Sequence, residues 1–218
     1  MSDLPYVLVA VTGPDAFEFL QNQLTNDLQQ LDSEDEILAA WCSPKGRVIW
    51  FGTVQKTESG YVMSVLTDMA EEFVRRLTMF RFRSRVEFSV EPGGSVDPAR
   101  LIEIGCPYIG QQQSEQFTPH MLNLDLLGAI SMEKGCYPGQ EIVARTYYRG
   151  KTKRRLHRFE SSAQTTPGDK VSDGERDVGD VVNVSGNDLL AVVPVDHSEL
   201  SINGISLTEV DLPYLERG

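Results

Sequence analysis

Runs of β-type residues alternate along this chain with stretches whose apolar positions recur at helical spacing. Tyr6 to Val11 reads as a strand ending at Thr12-Gly13-Pro14, and a helix is expected from about Pro14, with Phe17, Leu20 and Leu24 on its apolar face. Asn26-Asp27 ends or caps that helix, and the acidic stretch Asp32 to Glu36 reads as a loop. Ile37 to Cys42 and Arg47 to Val54 read as paired strands joined by the turn Ser43-Pro44-Lys45-Gly46. Gly60 opens a third strand, Tyr61 to Leu66. Asp68 is the expected cap of a helix running through Phe80, with Phe73, Leu77 and Phe80 on one face, and Arg85 to Val90 is a further short strand. This order predicts an α+β layer, helices against a mainly antiparallel sheet.

Glu91-Pro92-Gly93-Gly94-Ser95 has the composition of a linker bend, Leu101 to Ile104 looks strand-like, and Gln111 to Gln116 reads as a polar loop. Beyond Gly150 the pattern changes. Arg155–Glu160, Asp177–Val184, Leu189–Val195 and Ile205–Glu209 are short β-type runs separated by Gly, Asp, Ser and Asn turns, which predicts a small β-barrel or sandwich. Two units are therefore expected, residues 1–150 and 151–218.

The stretch with the densest chemistry is Lys134-Gly135-Cys136-Tyr137-Pro138-Gly139-Gln140-Glu141. Pro138 suits the first turn of a helix, where its missing N–H would be unpaired anyway. Gln140 and Glu141 then open a helical run in which Glu141 and Arg145 can pair across one turn. Cys136 is expected just outside that helix N-terminus and two residues from Lys134, and both features favour thiolate, the nucleophilic and metal-binding form.

Charge narrows the partners. The chain carries 20 Lys and Arg against 32 Asp and Glu, a net charge of −12, which argues against general nucleic-acid binding. The positive residues are concentrated, however. Arg145 to Arg158 holds Arg145, Arg149, Lys151, Lys153, Arg154, Arg155 and Arg158 with no acid, and Arg75, Arg76, Arg81, Arg83 and Arg85 form a second run. Each is either a face paired with the acidic ends or a local contact for RNA or a compact anion. Cys42, Cys106 and Cys136 are far apart and odd in number, so neither a disulfide framework nor a zinc spacing is present, and a cytoplasmic setting is expected. Three cysteines are also one short of the usual thiolate set for an iron–sulfur cluster. No secretory leader and no apolar run of bilayer length is evident. His120 and His157 have no carboxylate or thiol at metal-ligand spacing and read as surface or loop residues, so no metal site is expected.

The string Lys134 to Glu141 resembles the K-G-C-Y-x-G-Q-E signature of the YgfZ family, folate-binding proteins related in fold to the glycine-cleavage T-protein. Thr12 to Ala16, Phe19 to Asp27, Pro44 to Arg47, Arg145, Tyr148 to Gly150 and Leu212 to Tyr214 are similar to further family blocks, in the family order. The resemblance implies a T-protein-like folate-binding unit followed by a C-terminal β-barrel, tetrahydrofolate or a derivative as cofactor, and a role in iron–sulfur cluster assembly or repair with an effect on tRNA modification. Iron–sulfur proteins and tRNA-modifying enzymes are the implied partners. It places the family's key lysine and cysteine at Lys134 and Cys136 and a folate-facing aromatic at Tyr6. Tyr137, Gln140, Glu141 and Arg145 are the further side chains that could supply an apolar wall, hydrogen bonds and a cation to folate. Two features depart from the family. The region between the first unit and the Gly105-x-Pro107 block is reduced to about residues 91–100, and Trp50-Phe51 stand where T-protein-like enzymes carry an acidic pair. Without that carboxylate, aminomethyl transfer is not expected. A one-carbon transferase and a tRNA-contacting adaptor are the alternatives.

Overall fold

The structure, a computed structural model, describes residues 3–150 and 152–215. Among them β1 (Leu4–Thr12), β2 (Glu36–Cys42), β3 (Val48–Thr57), β4 (Gly60–Leu66) and β5 (Glu87–Val96) form one antiparallel sheet in the order β2-β3-β4-β1-β5. Strand periodicity decides what each face does. Val9 and Val11 of β1, Met63 and Val65 of β4, and Trp41 and Trp50 of β2 and β3 join the core formed with α1 (Ala16–Gln21) and α2 (Ala70–Met79). Phe73 of α2 meets Trp41 edge-on at 5.6 Å and lies 5.5 Å from Trp50. The alternate positions, including Tyr6, Leu8, Leu38, Val62 and Ser64, line a cavity on the opposite face.

Several expectations are corrected here. Helix α1 is only six residues long, so Phe19 and Leu20 turn inward while Phe17 is 40% exposed. Asp68 does not cap α2; a 3-10 turn at Thr67–Met69 leads in, and the Asp68 carboxylate accepts from the Gln111 N–H at 3.2 Å. Glu91 to Ser95 is no linker but the second half of β5, where the register on β1 shifts between Pro5 and Val7. Gly93 and Gly94 permit this, because a Cβ on Gly93 would lie 2.3 Å from the Tyr6 carbonyl oxygen. Leu101 to Glu103 is helical, not extended, and Ile104 is the C-cap. Asp97 caps α3 (Pro98–Glu103) by accepting from the Ala99 N–H at 2.9 Å, with Pro98 in the first turn.

Helix α4 (Gln140–Arg149) follows the Cys136 motif, with Gly139 as its cap at φ 80° and Pro138 just outside it. After it, β6 (Arg154–Glu160), β7 (Lys170–Ser172), β8 (Asp177–Ser185), β9 (Asp188–Pro194), β10 (Ser201–Ile202), β11 (Ile205–Ser206) and β12 (Thr208–Val210) make a nearly closed barrel in the order β11-β10-β7-β8-β9-β6-β12. Both faces of its central strands are buried. Val181, Leu189, Ala191 and Val193 fill the barrel, while Leu156, Val182, Leu190 and Val192 join the core of the first sheet.

Close packing sets a sharp requirement at Gly139. A Cβ there would sit 2.5 Å from the Ser43 carbonyl oxygen, in a backbone region that costs an L residue about 1–2 kcal/mol. Gly186 has φ 63° with open space around it. Gly186→Ala is therefore expected to cost about 1 kcal/mol in urea unfolding and Gly139→Ala at least about 1 kcal/mol more; equal losses would contradict the close packing of the motif on the β2–β3 turn.

Candidate functional site

The Cys136 motif is anchored by its lysine. Lys134 is 7% exposed, and its ammonium donates to the carbonyl oxygens of Gln21 and Leu24, each at 2.5 Å, and of Asn26 at 3.1 Å. These carbonyls belong to the last residue of α1 and the turn after it, where helix geometry leaves acceptors unpaired. Burial pulls Lys134 down to about 8, and Asp27 acts in the opposite direction. The ring of Tyr137 lies 5.5 Å from the ammonium. Tyr137 itself is buried, its hydroxyl has no hydrogen-bond partner, and burial pushes its phenol up.

Neighbouring family-like residues tighten the same junction. Thr25 Oγ1 accepts from the Ala40 N–H at 2.9 Å and donates to the Ala129 carbonyl at 2.7 Å. Asn26 Nδ2 donates to the carbonyls of Leu38 and Gly128 at 2.8 and 2.9 Å. Gly46, in the β2–β3 turn, comes so close to α4 that a Cβ would meet Ile142 Cβ at 2.8 Å. The motif is thus clamped between the end of α1 and the β2–β3 hairpin. Above this clamp Cys136 is exposed, as are Glu141 and Arg145, while Gln140 is half-buried. Among the described residues no ion pair joins Glu141 to Arg145, and the Lys134 ammonium is committed to carbonyls.

The sheet face away from the helices bounds a cavity of about 340 Å³. Tyr6, Leu8, Leu38, Phe51, Val62 and Ser64 form its floor, and Leu101 with Cys106 to Ile109 covers it. The covering segment is held to the barrel by Asn183, which accepts from the Tyr108 N–H at 3.0 Å and donates to the Tyr108 carbonyl at 2.8 Å. Glu36 and Gln55 stand at the edge, 3.0 Å apart. Burial raises the Cys106 thiol to about 11. Of the sequence-predicted site residues Tyr6 lines this cavity; Lys134, Cys136, Tyr137, Gln140, Glu141 and Arg145 do not.

The basic run divides between paired and other residues. Arg154 pairs with Asp180, Arg155 takes Asp125 with two nitrogens, and Arg158 pairs with Asp188. Lys151 and the Arg149 side chain lie outside the described residues. His120 is no surface residue: it is 2% exposed with both ring nitrogens unpartnered. His157 is half-buried and meets a carboxylate, Glu209.

No family model matches the chain. It is similar to the tRNA-modifying protein YgfZ of Klebsiella pneumoniae (strain 342), at 26% identity over 277 residues, covering 94% of this chain and 84% of that protein. That alignment is longer than the chain itself, so the relative carries stretches without a counterpart here. An uncharacterized protein of Haemophilus influenzae is 30% identical over 202 residues, 73% of this chain and 72% of its own length. The chain belongs to the YgfZ family. Its fold matches the crystal structure of glycine cleavage system aminomethyltransferase T from Bartonella henselae with a TM-score of 0.77, over 99% of this chain and 86% of that one, at 14% identity.

In this YgfZ-family chain, sequence reasoning missed most of the cavity. Leu8, Leu38, Val62 and Leu66 were the available signal, since they make the second sheet face apolar and the two helices cover the first. Tyr108 and Cys106 carried no local pattern; the barrel brings them there.

Removing the Lys134 ammonium leaves three carbonyls without their donor. Lys134→Met is expected to lose about 2–4 kcal/mol in urea unfolding, and Cys136→Ala, at an exposed position, no more than about 0.5 kcal/mol. A Lys134→Met protein as stable as the parent would remove the anchoring role.

Proposed function

We propose that this chain is a tetrahydrofolate-binding accessory protein of iron–sulfur cluster assembly or repair, acting through that on tRNA modification. The observation that carries the reading is the cavity on the face of the first sheet away from the helices. Tyr6, Phe51 and Tyr108 offer flat apolar walls, and Glu36, Gln55 and Ser64 offer polar groups at its edge and floor. Its volume, at the small end of ligand pockets, suits a bicyclic pterin rather than a whole folate. Glu36 can accept from the amino and ring N–H groups of a pterin. Among the described residues the lining contains no Lys or Arg, so the glutamate tail would extend out of the cavity without a lining cation to hold it. Bound tetrahydrofolate would supply a carrier for one-carbon units.

The chain's own residues favour binding over aminomethyl transfer. Trp50 is buried, with its indole N–H donating to the Ser64 carbonyl at 2.9 Å, and Phe51 lines the cavity. Neither offers the carboxylate that would assist a folate amine. The tRNA-adaptor alternative loses support from the carboxylates already paired with Arg154, Arg155 and Arg158. Cys136 is the reactive group of the working surface in this reading, positioned by Lys134 and Tyr137 beneath it and flanked by Gln140, Glu141 and Arg145. The relatives named tRNA-modifying proteins support the biological setting.

Tetrahydrofolate is expected to raise the melting temperature, and Tyr6→Ala to weaken its binding about tenfold through the lost aromatic contact. The monoglutamate and triglutamate forms should bind within about threefold of each other, since no cation awaits the extra carboxylates. No shift at millimolar ligand would overturn the reading, and a strong preference for the triglutamate would overturn the proposed orientation. In a strain lacking its own YgfZ-family protein, Cys136→Ala should abolish complementation while tetrahydrofolate binding persists; full complementation would deny the thiol its role.

A further inference from the structure

Three residues far apart in sequence meet at one edge of the barrel. His157 lies on β6, two positions before Phe159 and on the same face; His197 follows β9; Glu209 lies on β12. Glu209 Oε1 is 2.6 Å from His157 Nδ1, and its Oε2 is 3.2 Å from His197 Nε2. The three donor atoms all fall within 4.8 Å of one another. Phe159 holds both rings in place, stacked on His157 at 6.2 Å and edge-on to His197 at 5.8 Å.

The hydrogen bonding of His197 determines its tautomer. Its Nδ1 is 2.8 Å from the Pro194 carbonyl oxygen, which can only accept, so Nδ1 carries a hydrogen. Nε2 of the neutral ring is then a bare lone pair aimed at a carboxylate oxygen. Two acceptors in that position need a cation between them, either a proton or a metal ion. A backbone carbonyl that accepts from the second ring nitrogen is a usual outer support of a metal-bound imidazole. Ligand bonds of about 2.0–2.2 Å in a tetrahedron put donor atoms roughly 3.3 Å apart. The His197 Nε2–Glu209 Oε2 contact already has that spacing, the His157 Nδ1 contact to the other oxygen, Oε1, must open by about 0.7 Å, and the two imidazole nitrogens, which lie within 4.8 Å, close by at most about 1.5 Å as the carboxylate turns one oxygen to the ion. The nearby Arg155 does not oppose a dication with a free charge, because Asp125 neutralises it.

We propose that His157, His197 and Glu209 form a binding site for a divalent transition metal, with Zn²⁺ the best match to two imidazoles, one carboxylate and an open fourth position. The ion takes Nδ1 of His157, Nε2 of His197 and an oxygen of Glu209, displaces the proton held between His157 and Glu209, and keeps a water on the exposed side. It pins β12 to β6 and to the segment after β9. The chain continuing from β12 carries Leu212 and Tyr214 against Gly105, next to the cavity-lining Cys106, with the Tyr214 hydroxyl donating to the Gly105 carbonyl at 3.0 Å. Metal binding thus fastens the strap that braces the cavity cover.

The test titrates the full-length, chelator-treated chain with ZnCl₂ and with Co²⁺ as a spectroscopic substitute. One ion per chain is expected, with a raised melting temperature and a Co²⁺ spectrum of nitrogen and oxygen ligation lacking a thiolate charge-transfer band. Glu209→Gln keeps the size and an acceptor and should weaken Zn²⁺ at least about a hundredfold, beyond the usual cost of losing an outer support; His197→Ala should abolish binding. Cys136→Ser should bind as the parent does, because the exposed thiol is the competing ligand. Sub-stoichiometric binding, a thiolate band, loss of the ion in Cys136→Ser, or undiminished affinity in folded Glu209→Gln would overturn the proposal and leave the cluster as a proton-bridged contact.

Discussion

The molecule depends on one buried ammonium meeting the unpaired end of a helix. Lys134 satisfies three carbonyls at and beyond the end of α1, and among the described residues no other side chain donates to them. Taking an ammonium out of water is costly, and burial does pull Lys134 down; short bonds to three carbonyls offset that cost. The lysine therefore joins residues more than a hundred positions apart. The Cys136 turn sits where it does because Lys134 holds it from below and Gly139 lets it lie flat on the Ser43 carbonyl.

A second constraint separates the thiol from the cavity. The lysine clamp lies at α1 and the β2–β3 turn, whereas the cavity is on the other face of the sheet under the Cys106–Ile109 segment. On the proposed function, binding and thiol chemistry would occupy two sites joined by one sheet, rather than one pocket. Trp50 and Phe51 point to opposite sides of that sheet, one into the helix-covered core and one into the cavity. A carboxylate at position 51 would face the cavity; this chain offers an aromatic wall instead.

Much of this was legible in the residues. Alternation marked the strands, the Gly-rich turns marked the barrel, and the spread of family-like blocks marked the fold. What stayed hidden was whatever tertiary contact decides. Asp97-Pro98 is a helix-start signal, yet the short apolar run after it also suits a strand, and packing settles it as α3. Gly93-Gly94 read as part of a linker bend because glycine marks both bends and close approaches; here it makes room for Tyr6. The charge of Lys134 suggested a partner for Cys136, since sequence proximity does not reveal where a long side chain points. His157 and His197 met Glu209 only through barrel closure, which no local spacing encodes.

The central claim is that pterin and thiol sites are distinct, and amide hydrogen exchange with and without tetrahydrofolate tests it most directly. The account predicts added protection in β1, β3, β4 and residues 101–109, with residues 134–149 unchanged. Protection centred on Cys136 to Arg145, with the cavity strands unaffected, would contradict it.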